Sequence, residues 1–275
     1  MQKRWLSYVL PALFLCSGFE LGAQRPVQTP IVFLDTEQGL SNNTVRCIYK
    51  DHNGFMWFGT RDGLNRYDGN SFTVYRHVFK DTNSLGCDFV LSLCEDKSNR
   101  LWIGTRQGLN IYDNLQGHFS TISFTSARDR VTRPIAGVIR LLQRDDRGYM
   151  LIGTEGSGLL LYAGKGATAV QIPFMDGGTP CWSYTVQAVR ITEDNRTWVQ
   201  VQGKGICLLN TGEGQLHLVN SQLPGATCME NIGTTLWVCN GSALYQYDPL
   251  SNSCTRKWQL PSNDHIAESI WVIRA

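Results

Sequence analysis

The sequence predicts an all-β protein made of repeated four-stranded antiparallel sheets. Three observations carry that expectation. The phrase GFMWFGTRDGLNRYDGNSFTVY at residues 54–75 returns 45 residues later as RLWIGTRQGLNIYDNLQGHFSTI. Weaker copies centre on Leu151, Trp198 and Trp237, at further steps of 49, 47 and 39 residues. Between them no helix-length amphipathic stretch competes with the strand pattern.

Each element of one copy can be read in order. Residues 44–51 (TVRCIYKD) are apolar and β-branched enough for an inner strand. Asn53-Gly54 follows as a tight hairpin signal, because both residues tolerate positive φ. Residues 55–60 (FMWFGT) are apolar on both faces and read as a strand lying between two other layers. Arg61-Asp62-Gly63 turns the chain into a third strand, 64–68 (LNRYD). Asp68-Gly69-Asn70 turns it into a fourth and more polar strand, 71–76 (SFTVYR). Four antiparallel strands per period of roughly 40–50 residues describe a β-propeller blade. One blade cannot bury two apolar faces alone, and stacking blades around an axis buries them against each other. Trp57 and Trp102 are therefore expected between blades.

The blade cores fall near 44–76, 89–124, 138–174, 186–220 and 227–260, within a single domain over 24–275. Residues 270–275 read as the opening of a sixth copy. Seven blades of ~45 residues need about 315 residues, so an incomplete seven-bladed ring, an open arc, is expected. Residues 31–36 (IVFLDT) align with the fourth-strand position before the second copy and are expected to form an N-terminal strand.

The first residues are a different text. Lys3 and Arg4 precede an apolar run from Trp5 to Phe14, then Leu21-Gly22-Ala23. This reads as a secretory signal peptide, residues 1–23, cut after Ala23. Cys16 does not make a lipoprotein site, because Leu15 stands where that processing needs a small residue. The mature chain carries no apolar run long enough to span a membrane. An exported, periplasmic location follows. A net charge of +2, with Lys and Arg scattered, argues against nucleic-acid binding.

Eight cysteines remain after cleavage, in no framework spacing and without zinc-ligand spacing. They read as buried thiols, and only Cys228 and Cys239 fall on strands expected to be neighbours and able to pair. No cofactor or metal is implied.

Acidic residues recur at one place, Asp51, Asp96, Asp145 and Asp194. Catalytic groups usually break a repeat's symmetry, so these read as turn residues whose carboxylates bond their own backbone. No nucleophile motif accompanies any of the five histidines. The chain is not expected to be an enzyme. What differs between copies are the turns between second and third strands: Arg61-Asp62, Arg106-Gln107, Glu155-Gly156-Ser157 and Gln202-Gly203-Lys204. The connection 175–184 (MDGGTPCWSY) adds Trp182 and Tyr184. Arg61, Asp62, Arg106, Gln107, Glu155, Trp182, Tyr184 and Lys204 are the candidate ligand-binding residues, for an oligosaccharide or another small polar ligand.

The pattern V-x-x-I-x-x-D-x-x-G-x-x-W-x-G-T-x-x-G-L-x-x-Y-D is carried by Val45, Ile48, Asp51, Gly54, Trp57, Gly59, Thr60, Gly63, Leu64, Tyr67 and Asp68. It resembles the two-component regulator propeller repeat. The entry segment 33–43 (FLDTEQGLSNN) resembles the start of the periplasmic sensor of a Bacteroides-type hybrid two-component system. That resemblance implies a sensor, often for glycans. It also implies further parts absent from this chain: a second propeller, a membrane span, a histidine kinase, a receiver and a DNA-binding domain, through which self-association would run. Two other readings stand beside it, a binding or scaffold propeller without signalling and a propeller lyase or glycosidase.

Overall fold

The structure is a computed structural model and describes residues 32–164, 166 and 168–259. The chain divides into two compact units, Met1–Phe33 and Leu34–Ala275, and all blades belong to the second. The expected signal peptide and the sixth copy at 270–275 lie outside the described residues.

Blade 1 is β1 (Val45–Lys50), β2 (Met56–Thr60), β3 (Gly63–Tyr67) and β4 (Phe72–Tyr75), within one residue of the sequence reading at every end. Blade 2 is β5 (Val90–Glu95), β6 (Leu101–Thr105), β7 (Gly108–Asp113) and β8 (His118–Ser120). A hairpin, β9 (Ser123–Thr125) and β10 (Thr132–Pro134), precedes blade 3. Blade 3 is β11 (Ile139–Arg144), β12 (Met150–Thr154), β13 (Leu159–Tyr162) and β14 (Thr168–Ile172). A second hairpin, β15 (Phe174–Asp176) and β16 (Thr179–Cys181), precedes blade 4. Blade 4 is β17 (Val186–Ile191), β18 (Thr197–Val201), β19 (Gly205–Asn210) and β20 (Gln215–Asn220). Blade 5 is β21 (Ala226–Ile232), β22 (Thr235–Asn240), β23 (Ala243–Asp248) and β24 (Ser253–Gln259). The fold is an all-β propeller, and successive blades pack in chain order through their first strands.

Two expectations need correction here. Blades 3 and 4 are six-stranded, because each hairpin adds to the outer strand of a blade in parallel pairing, β9 along β14 and β15 along β20. The segment expected as an N-terminal strand carries none among its described residues. Asp35 instead caps a short 3-10 helix, Thr36–Gln38, accepting from Glu37 N. An aspartate side chain offers the backbone a local partner that competes with a sheet ladder.

The blade interfaces are filled by buried apolar side chains. Trp57 is fully buried against Leu85, Val90 and Tyr112 of the next blade, and Trp102 against blade 3. Gly104 makes that approach possible: a Cβ there would collide with Ser92 Oγ and lie 2.7 Å from the Ile139 carbonyl oxygen. Thr60, Thr105 and Thr154 each donate their hydroxyl to the carbonyl of the turn glycine that follows, which locks the turn between second and third strands.

The recurring aspartate does more than hold its turn. Asp51 accepts from Asn53 N and Phe55 N with one oxygen and from Trp57 Nε1 at 2.8 Å with the other. Asp96 does the same for Ser98 N, Arg100 N and, at 2.9 Å, Trp102 Nε1. In blade 4 the equivalent residue is Thr192, not Asp194. Its backbone N bonds Arg196 O as Asp96 N bonds Arg100 O. Asp194 sits two residues later and binds Arg196, and Trp198 Nε1 is buried without a partner among the described residues.

Cys228 and Cys239 do face each other across β21 and β22, and both are free thiols.

Candidate functional site

The turns between second and third strands and the connections between blades gather on one side of the sheets. Two cavities open there, and one loop divides them. Glu155 lines the inner cavity, while its neighbours Gly156 and Ser157 line the outer one.

The outer cavity encloses about 580 Å³ between the two hairpins. Its β9–β10 wall presents Ser126, Arg128, Asp129 and Arg133. Arg133 grips Asp129 through both guanidinium nitrogens, at 3.0 and 2.6 Å, and holds that carboxyl down at about 2. The other wall is the segment Pro180 to Ser183. Gln171 on β14 ties the walls to the floor, its Nε2 donating to Ser157 O at 3.1 Å and to Trp182 O at 2.8 Å. Trp182 is half-buried and also lines an apolar cleft of about 570 Å³ with Val170, Ile172 and Met175. The indole therefore stands as a partition, with polar groups on one side and aliphatic ones on the other. An aromatic face beside converging hydroxyl, amide and charged groups is chemically suited to a sugar ring.

The inner cavity, about 220 Å³, lies at the starts of the first strands of blades 1 to 3. Arg61 and Arg106 each hold their guanidinium 5.4 Å from the Phe89 ring centroid. Glu155 forms an ion pair with Arg140.

The structure thus brings Arg106 and Glu155 to the inner cavity, Arg61 to the ring of Phe89 in its wall, and Trp182 to the outer cavity. The other candidates stand elsewhere. Asp62 turns away to Arg76, at 2.9 Å. Gln107 is exposed, and its backbone N donates to Thr105 Oγ1. Lys204 binds Asp176 of the second hairpin at 2.7 Å, and that partner raises its pKa. Tyr184 is buried. Its hydroxyl donates to Ile172 O at 2.6 Å and accepts from Leu159 N at 3.0 Å. Burial pushes its pKa up, and it presents no free group to a ligand.

Sequence reasoning missed Arg46, Phe89 and Arg140 at the inner cavity and the whole β9–β10 wall of the outer one. Arg46 and Arg140 had a signal: they stand at the same position of two copies. The wall had none beyond the longer interval between blades 2 and 3. Among the described residues, no group of three His, Cys, Asp or Glu side chains is placed to hold a metal ion, and no helix is long and apolar enough to cross a membrane.

The family model for the two component regulator propeller matches residues 39–62 and 84–107. The two matched segments fall on the first two copies of the repeat. Histidine kinase P4 of Formosa agariphila is 47% identical over 47 residues, which are 17% of this chain and 3% of that protein. The extracellular domain of the hybrid two component system BT3049 from B. thetaiotaomicron superposes with a TM-score of 0.66 at 20% identity, over 82% of this chain and 31% of that one. The extracellular domain of BT4673 from the same organism gives 0.67 at 19%, over 84% and 32%. The chain thus spans about a third of each of these structures.

Proposed function

We propose that this two-component-regulator propeller is the exported ligand-sensing part of a hybrid two-component signalling protein, and that its ligand is an oligosaccharide. In this reading the chain works in the periplasm, catalyses nothing itself and signals through parts outside it. The observation that carries the reading is the outer cavity. Blades built on one repeat need no such feature, yet the connections around blade 3 are elaborated into two hairpins that wall a polar cavity beside Trp182. Strands added beyond the four that build every blade point to a role outside the blade's own packing. The fold shared with extracellular domains of hybrid two-component systems supports the sensing role.

The test is a thermal-shift and calorimetric screen of the full chain against neutral and acidic oligosaccharides. At least one saccharide should raise the melting temperature. Trp182→Ala should weaken its binding at least about tenfold if the ring stacks on the indole, since aromatic contacts dominate such sites. A bound saccharide indifferent to Trp182→Ala and to Arg128→Ala would remove the outer cavity from the reading, and a panel without binders would remove the saccharide.

A further inference from the structure

Blade 1 breaks the repeat with charge. Each first strand of blades 1 to 4 begins with one extra residue, where the register skips a position: Val45 to Cys47, Val90 to Ser92, Ile139 to Leu141, Val186 to Ala188. Such bulges re-aim a side chain. The residues at the bulge are Arg46, Leu91, Arg140 and Gln187. The residue after each second strand stands beside it, since Thr60 pairs with Val45 and Thr154 with Ile139. Those residues are Arg61, Arg106, Glu155 and Gln202.

Blade 3 fills the two positions with Arg140 and Glu155, and they form an ion pair. Blade 1 fills the same two positions with Arg46 and Arg61. Blade 2 adds Arg106 beside Leu91. Among the described residues no carboxylate comes within ion-pair reach of Arg46, Arg61 or Arg106, and the adjacent Asp62 is committed to Arg76. Phe89, half-buried, carries two of these cations on one ring, and cation–π contact fixes them without neutralising them. Arg46, Phe89, Leu91, Arg106, Arg140 and Glu155 line the one cavity of about 220 Å³. Gathered like charges repel, and an entering anion would relieve that repulsion. Guanidinium forks match a carboxylate or sulfate in two-point geometry. Phe89 and Leu91 leave an apolar patch beside them for the ring that bears the anion.

We infer that the inner cavity is an oxyanion site, and that the ligand is an acidic oligosaccharide whose carboxylate or sulfate is held by Arg46, Arg61 and Arg106. The saccharide part rests on the sensing function proposed above; the anion part rests on the arginines alone.

Calorimetric titration of the full chain with tetragalacturonate, a chondroitin sulfate tetrasaccharide, cellotetraose and inorganic sulfate separates the two parts. An acidic tetrasaccharide should bind, more weakly as salt rises, and the arm that binds tells carboxylate from sulfate. Arg46→Gln with Arg61→Gln should lower that affinity at least about tenfold while leaving the ligand-free melting temperature unchanged or higher. Glu155→Gln, which frees Arg140, should raise the affinity several-fold, a change that a merely structural role would not produce. Undiminished binding to the double variant would overturn the site. So would the failure of both acidic ligands; if cellotetraose then bound in a Trp182-dependent way, the sensing function would survive without the anion. Inorganic sulfate binding as tightly as the tetrasaccharide would overturn the saccharide assignment.

Discussion

The indole nitrogens of Trp57 and Trp102 each donate to a buried aspartate, and that of Trp198 finds no acceptor among the described residues. A buried polar group left without its partner costs about 1–3 kcal/mol. Blade 4 reads TEDNRTW where blade 2 reads DKSNRLW, so Thr192 replaces the aspartate and Asp194 holds Arg196 instead. Thr192→Asp combined with Asp194→Ser copies blade 2, and should stabilise the protein by about 1–2 kcal/mol, read as a higher urea midpoint. Trp198→Phe should cost less than Trp57→Phe, which leaves Asp51 Oδ2 without the indole it accepts from; equal costs would mean that the aspartate bond is worth nothing. Buried thiols make a second prediction. Burial pushes Cys94 up to about 11 and Cys207 up to about 12. Both folded values lie above that of an unfolded thiol, about 8.5. Their contribution is therefore complete below that pH and is lost as pH rises through the folded values. Each thiol should remove about 1.4 kcal/mol of stability per pH unit inside that window. The urea midpoint should fall from about pH 9 to 11, less steeply in Cys207→Ala, and a flat profile would contradict the burial.

At the scale of the strand, Gly104 and Gly153 occupy one position and meet different neighbours. A methyl at Gly104 runs into Ser92 Oγ and the Ile139 backbone oxygen, and the backbone cannot step aside. At Gly153 the nearest atom is the Val186 Cγ1, 3.0 Å away, with side-chain freedom to yield. Gly104→Ala should therefore destabilise by about 2–3 kcal/mol, as overpacked cores do, and Gly153→Ala by less. Denaturant melts would refute this if the order reversed. The same elements show what a sequence can reveal. The strands of blade 1 were legible because alternation, Asn53-Gly54 and Asp68-Gly69 punctuate them. The added hairpins were not. They are three-residue strands whose pairing, β9 with β14 and β15 with β20, joins residues distant in sequence, and no local pattern encodes such a partner. The candidate site divides likewise. Arg61 and Arg106 were visible as departures from repetition, whereas Phe89 looks like any core aromatic until two guanidinium groups are found on its ring. Tyr184 misled for the opposite reason: its loop position suggested exposure, and two backbone hydrogen bonds hold it inside.

Across the whole molecule, burial changes where a blade has no described neighbour. Ile48 of blade 1 occupies the position of Leu93, Leu142 and Val189, since each pairs with the middle residue of its second strand. Those three are buried, at 9%, 8% and 0% exposure, and Ile48 is 49% exposed. Val45 beside it is exposed as well. At the other side, Ile232 and Trp258 of blade 5 are exposed, and β24 pairs only with β23 among the described strands. A blade face that its siblings bury is apolar surface in search of cover, and an unpaired strand edge is a template for another chain. A protein of residues 24–275 should therefore associate with itself in solution. Sedimentation velocity should show larger species as concentration rises. Ile48→Glu should shift the distribution toward monomer without lowering the melting temperature, because at that position the side chain contributes little to its own blade. If that protein stays a monodisperse monomer from dilute to concentrated solution, the exposed face of blade 1 is covered within the molecule. If Ile48→Glu instead unfolds the chain, the residue is already packed, and association is not what this face is for.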